Sequence, residues 1–164
     1  MKLNILCSAA VFTAASLFAG CGAKAEPDVC KLVTLADAQS IVNKQVQFNQ
    51  IFTDKLKALS AIPGICVYSA GADESSPRVV VSYRRYESQD LIKLSFNDSK
   101  ETAWKKQKQE ILGGIGEDAV LLDDSSIAFR KGTIWFQIGV GEQGDAVVST
   151  DGLKSAARKA AASL

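Results

Sequence analysis

Two pairs of adjacent carboxylates, Glu117-Asp118 and Asp123-Asp124, are the raw material for the acid/base chemistry of a hydrolase. Neighbours on a strand point to opposite faces, and aspartates at turns usually serve the backbone. Capping and solvation are therefore the favoured reading of both pairs. The run Asp123-Asp124-Ser125-Ser126 lacks the alternating acidic spacing of a calcium loop. The chain contains no histidine, which removes the usual general base, Ser-His-Asp and Cys-His catalysis, and His-based metal sites. Ser69, Ser75 and Ser76 thus have no imidazole to activate them. Ser155 with Arg158 is the nearest approach to a Ser-x-x-Lys spacing, and arginine does not qualify. Gly114-Ile115-Gly116 lacks the third glycine and the strand-to-helix context of a dinucleotide motif, so it reads as a backbone turn. No catalytic residue, metal site or cofactor is expected.

Recognition is better represented than catalysis. Tyr83-Arg84-Arg85-Tyr86 interleaves aromatic rings with cations, and Lys105-Lys106-Gln107-Lys108 adds a basic helical patch. Such groups suit anionic lipid headgroups, a glycan or a protein partner; the favoured plainer reading is a solvated strand face and a solvated helix face. Trp135 sits opposite an apolar strand face and needs cover of its own. With Val80 and Arg84 it would line the second face of a sheet, where an exposed aromatic would signal recognition. The candidate binding surface is thus Tyr83, Arg84, Arg85 and Trp135.

These groups belong to a chain of 164 residues, 47% hydrophobic and 23% charged, a size and composition that suit one globular domain and argue against disorder. At its start Lys2 is followed by an uncharged run reaching Lys24, apolar from Ile5 to Phe18 apart from Ser8, Thr13 and Ser16. A short run of this kind ending in small residues reads as a secretory signal peptide. A membrane span needs about 20 strongly apolar residues. The run ends in Leu17-Phe18-Ala19-Gly20-Cys21, which resembles the lipobox of bacterial lipoproteins, with Leu one place earlier than usual. The resemblance implies cleavage before Cys21 and acylation of that cysteine, with residues 1–20 as signal peptide, 21–29 as tether and 30–164 as a single globular domain. The competing reading is cleavage after Ala23-Lys24-Ala25, which starts a soluble chain at Glu26. By the same resemblance, Gly22 is not the Asp that retains lipoproteins in a Gram-negative inner membrane. An outer-membrane location facing the periplasm follows if the organism is Gram-negative.

Processing at Cys21 removes Lys2 and leaves 18 basic against 18 acidic residues. A neutral chain lacks the basic footprint of a nucleic-acid binder. Its expected partners are the membrane, through the anchor, and an envelope protein or glycan. Two or more acyl chains hold a protein on a bilayer without help from basic residues. Cys7 leaves with the signal and Cys21 is consumed by lipid, so Cys30 and Cys66 remain. In an oxidising envelope an even remaining pair reads as one disulfide, contributing about 4 kcal/mol in the chain-entropy picture. No Cys-x-x-Cys is present to suggest a redox or zinc role.

The elements that must position these groups follow from periodicity and turn chemistry. Thr34 with Asp37 resembles a capping box, opening a helix over Leu35 to Lys44 with Leu35, Ala38, Ile41 and Val42 on one face. Val46, Phe48 and Ile51 alternate like a strand. Strands are expected at Ile65 to Tyr68 and Arg78 to Tyr86, separated by a loop over 71–77. Asp98 or Ser99 would cap a helix running to Leu112, with Trp104 and Ile111 on its buried face, ended by Gly113-Gly114-Ile115-Gly116. A three-stranded meander over 119–122, 126–130 and 133–140 turns at Asp123-Asp124-Ser125 and Lys131-Gly132. Leu153, Ala156, Ala157, Ala160 and Leu164 mark a last helix with a small-residue stripe. The order helix-strands-helix-strands-helix implies an α+β fold, an antiparallel sheet with helices packed on one face.

Cys30, the Thr34-Leu-Ala-Asp-Ala38 helix start, the Cys66-Val-Tyr68 strand, Gly114-Ile-Gly-Glu-Asp-Ala119 and the alanine-rich last helix together resemble small bacterial cell-envelope lipoproteins of unassigned function. That resemblance implies a Cys near the start paired with the Cys-x-Tyr strand, and it transfers no catalytic residue. The expected function is a lipid-anchored, non-catalytic interaction or ligand-binding module, with an envelope hydrolase or transferase using carboxylates as the alternative.

Overall fold

The structure, a computed structural model, describes residues 26–164 apart from 61, 63, 74 and 142–146. The signal segment and Cys21 lie outside the described residues. Among the described residues, seven antiparallel strands form one sheet in the order β1-β2-β3-β7-β6-β5-β4, in keeping with the α+β expectation. It is built from two meanders that meet at its centre. From one edge run β1 (Gln47–Phe48), β2 (Gly64–Ser69) and β3 (Arg78–Arg85). From the other run β4 (Gln109–Ile111), β5 (Asp118–Leu122), β6 (Ser126–Lys131) and β7 (Ile134–Val140). The seam is β3 against β7, in register from Val79 opposite Val140 to Arg85 opposite Ile134.

The first face of the sheet carries Cys66, Tyr68, Val79, Val81, Tyr83, Phe129, Phe136 and Ile138, all buried. Three helices cover it: α1 (Val29–Leu32), α2 (Leu35–Val42) and α5 (Thr150–Ser163). Thr34 and Asp37 form the capping box expected of them, and Asn43 ends α2 in the left-handed conformation. The stripe of α5, Leu153, Ala156, Ala157 and Ala160, is fully buried, and its small side chains let the helix lie close to α2 and the sheet. Cys30 and Cys66 are disulfide-bonded with their Cα atoms 5.4 Å apart, tying α1 to β2. Tyr68 reinforces the link, its Oη donating to the Val33 and Cys30 carbonyls at 2.7 and 3.0 Å.

The second face corrects the expectation that all helices share one side. Helix α4 (Gln89–Glu101) packs there, with Phe96 on Val120, Leu122 and Ala128 beside Trp104 and Trp135. Its cap lies ten residues before Asp98: Ser88, not Asp98 or Ser99, accepts from the Leu91 N–H. It ends at Glu101, so Trp104 is buried from the turns beyond it, while Ile111 is exposed on edge strand β4. The lysines at 105 and 106 are accordingly in turns and form no helical patch, and Gly113 ends no helix.

A further correction concerns Val46, Phe48 and Ile51. Only Gln47 and Phe48 pair as a strand, and Ile51 belongs to α3 (Gln50–Leu59), capped by Asn49, which accepts from the Phe52 N–H at 3.0 Å. Helix α3 runs against the outer part of β2. Its one buried residue, Thr53, accepts through Oγ1 from the Val67 N–H at 3.1 Å and so satisfies the strand where β1 gives out.

Candidate functional site

Strand alternation divides the candidate surface in two. Tyr83 and Arg85 point to the first face, Arg84 to the second. Tyr83 is buried against the core with its ring over Gly64, its cross-strand neighbour. A side chain at Gly64 would meet Tyr83 Cε1 at 1.8 Å, so the ring occupies the space a Cβ would need. Burial, followed by the hydrogen bond to Glu26, pushes the Tyr83 phenol up to about 12. Tyr83 is therefore a core residue and offers no surface ring.

Arg84 and Trp135 do meet, as direct cross-strand partners at the β3–β7 seam on the second face. Trp135 is half-buried within an aromatic cluster. It stacks on Tyr86 with centroids 6.2 Å apart and meets Phe96 and Trp104 edge-on at 5.4 Å each. The cover that the sequence demanded for Trp135 comes from α4 and the turns after it, and it is incomplete. Between α4 and the β2 side of the sheet, a strip of the second face stays open. Arg84 and Ser82 on β3 and Trp135 and Gln137 on β7 floor it, and Ile62 and Tyr86 form its sides, around a cleft of about 200 Å³. Gln137 is shared with an adjoining hollow of about 280 Å³ over Val80, Ser126 and Gly139. Leu122, Val140 and Asp123 also line that hollow, so the second face is mixed apolar and polar away from the aromatic end.

The electrostatics are simple. Arg84 is exposed and makes no ion pair among the described residues. Among the described residues, no carboxylate lines the cleft beside Trp135. Rings supply apolar contact area, while Arg84, Ser82 and Gln137 supply donors and acceptors, an arrangement suited to a ligand that is polar at its edges and apolar on its face.

The acidic pairs are engaged elsewhere. Arg130, its side chain 12% exposed, holds Asp118 through Nε at 2.6 Å and Glu117 through Nη1. Asp123 accepts from the Lys108 N–H at 2.7 Å, and Asp124 pairs with Lys108 Nζ at 2.8 Å. Both aspartates sit at positive φ in the turn closed by Ser125 N–H on the Leu122 carbonyl. Gly116, also at positive φ, lies so close to strand β6 that a Cβ would fall 2.4 Å from the Arg130 carbonyl. Its motif is a backbone device, as expected. Among the described residues, no group of three or more Cys, Asp or Glu is placed to hold a metal, and no helix is long and apolar enough to cross a membrane.

Sequence reading named Tyr86 in the aromatic–cation run, though not in the final candidate surface, and missed Ser82, Ile62 and Gln137 as parts of the cleft. Gln137 shares a strand face with Trp135 and was within reach of the alternation argument; Ile62 comes from a turn that no local pattern places. No known protein family matches the chain, and no curated protein or solved structure is significantly similar to it.

Proposed function

We propose that the chain is a lipid-anchored cell-envelope protein whose domain binds a ligand without transforming it, through the Trp135 cleft. The observation that carries this reading is the open strip at the β3–β7 seam. An aromatic wall, one uncompensated guanidinium and two uncharged polar side chains face outward there, where a sheet of this kind would otherwise be covered. The chemistry that fits is an envelope glycan, whose sugar rings have apolar faces and hydroxyl edges. The Ala19-Gly20-Cys21 ending of the signal segment supports the location. The hydrolase alternative draws no support from the acidic pairs, because Arg130 and Lys108 hold them.

The test uses the protein's own probes, since both of its tryptophans, Trp104 and Trp135, lie in the aromatic cluster. Chito-oligosaccharides and solubilised peptidoglycan fragments are titrated while tryptophan emission is followed. A saturable change is expected, abolished by Trp135→Ala and weakened about tenfold by Arg84→Gln, the loss of one charge-assisted hydrogen bond. Emission that stays flat at millimolar glycan, or changes equally in both variants, would overturn the reading.

A further inference from the structure

Two arginines flank Trp135 on the second face of the sheet, Arg84 on β3 and Arg130 on β6, each its direct cross-strand partner. The fold treats them differently. Arg130 is nearly buried and holds two carboxylates, Asp118 on Nε at 2.6 Å and Glu117 on Nη1. Arg84 is exposed and forms no ion pair among the described residues. Two further acidic residues come into the neighbourhood: Glu87, three positions along the chain, and Asp123 in the adjoining hollow. Neither lines the cleft, and Asp123 is engaged by the Lys108 N–H at 2.7 Å.

A solvated arginine needs no partner to be stable, so the meaning of Arg84 comes from its place. Arg84 opposes Trp135 and Ser82 opposes Gln137, two successive rungs of the β3–β7 ladder on one face. Opposed side chains start about 4.5–5.5 Å apart at Cβ, and such rungs repeat about every 6.6 Å along the strands. That is the scale of a single pyranose ring. Trp135 and Tyr86, their planes 17° apart, form a flat apolar wall at the first rung. A sugar ring lying on that wall turns its edge substituents to the Arg84 fork and to the Ser82 hydroxyl and Gln137 amide of the next rung.

We propose that the cleft selects carboxylated glycans, and that Arg84 is the residue that recognises the carboxylate. The inference rests on the reading of the cleft as a glycan site and adds the charge of the ligand. A guanidinium matches both oxygens of a carboxylate at once, and charge-assisted pairs are roughly twice as strong as neutral ones. The Arg130 cluster, with two carboxylates to one cation, offers an anion nothing, so selection falls to Arg84 alone. Two sources present a carboxylate on a pyranose. Uronic acids carry it on the ring, and muramic acid carries it on a lactyl ether.

The experiment titrates the protein with digalacturonate, with the same disaccharide methyl-esterified at both carboxyls, and with N-acetylglucosaminyl-N-acetylmuramic acid, following tryptophan emission. Acid and ester share their rings and differ in charge. The acid should bind about tenfold tighter than the ester, and added salt should narrow that ratio. In Arg84→Gln the ratio should fall to about one, while Arg84→Lys, which keeps the charge and loses the fork, should retain part of it. Tighter binding of the uronate assigns the ring carboxylate, tighter binding of the muramic disaccharide assigns the lactyl one, and equal binding assigns the carboxylate whatever carries it. Acid and ester that bind alike, or a preference unchanged in Arg84→Gln, would overturn the inference and leave the cleft a neutral-glycan site. Emission that moves with none of these sugars and with no chito-oligosaccharide would instead overturn the glycan reading beneath it.

Discussion

Gly64 and Tyr83 show how tightly single residues are specified. The Tyr83 ring lies where a Gly64 side chain would begin, with Cδ1 at 2.0 Å from the Cβ position, and the ring is held in the core on its other sides. Gly64→Ala must push that ring into packed neighbours, and we expect a loss of about 1–3 kcal/mol in urea denaturation. Asp37 is specified from two directions. Its carboxylate closes the capping box of α2 and, 122 residues away, meets Lys159 Nζ at 2.5 Å. Burial pushes its carboxyl up, but the hydrogen bonds from Lys159 and Thr34 outweigh it and hold the group below the usual value. A carboxyl depressed in the folded state stabilises the fold above its unfolded pKa of about 3.9, and that contribution disappears as pH falls through the lowered value. The parent should therefore lose more thermal stability than Asp37→Asn between pH 5 and pH 2.5 (roughly the range where carboxylates titrate). Equal losses in the two proteins would show that Asp37 contributes nothing to the acid response. The cap was legible because its members are three residues apart, whereas Lys159 was not, because only the docking of α5 on α2 brings it near. The same limit applies to Tyr83 through Tyr86: alternation placed them on two faces, but only the folded sheet decides which face α1, α2 and α5 bury.

Elements were legible in proportion to how much apolar surface they hide. Strands β3 and β7 and helices α2 and α5 bury one regular face each, and the periodicity of that face is written in their residues. Helix α3 buries only Thr53 and leaves Ile51 80% exposed, so it has no stripe to read; the Asn49 cap was its one local signal. Helix α4 hides only Ile92 and Phe96, and the buried Trp104 beyond its end drew the expected helix too far along the chain. The four-residue helix α1 is too short to stand by itself and is held by its attachments. Cutting the Cys30–Cys66 disulfide frees a loop with a sequence separation of 36. Reduction should cost about 4 kcal/mol in the chain-entropy picture, with amide exchange rising first around α1. Tyr68→Phe removes both hydroxyl contacts to that segment while keeping the ring, and about 1–3 kcal/mol should be lost without opening the disulfide. A reduced protein as stable as the oxidised one would mean that the core alone fixes α1.

At the scale of the whole molecule, the arrangement follows from two meanders that each end at the centre of the sheet, so the seam is made last in sequence yet carries the cleft. Arg84 and Trp135 become neighbours only when β7 docks on β3, which no local pattern announces. Pro27, six residues beyond Cys21 in sequence, lies beside Arg85 on the other face. Were residues 21–29 the membrane tether proposed above, the face carrying Pro27 and Arg85 would lie toward the bilayer and the Trp135 cleft away from it. Intact mass of the protein extracted from its native membranes, before and after reduction and alkylation, decides whether such an anchor exists. A chain beginning at Cys21 with added acyl mass, and two thiols that can be alkylated only after reduction, is the expected result. A chain cut before Cys21 would carry 18 basic and 18 acidic residues, with no basic surplus to hold it on a membrane by other means. A lipid-free chain beginning at Glu26 would also show two thiols after reduction, so acyl mass and start site, not thiol count, carry the decision. In that event the domain is a soluble exported binder, and no fixed orientation relates its two faces to a membrane.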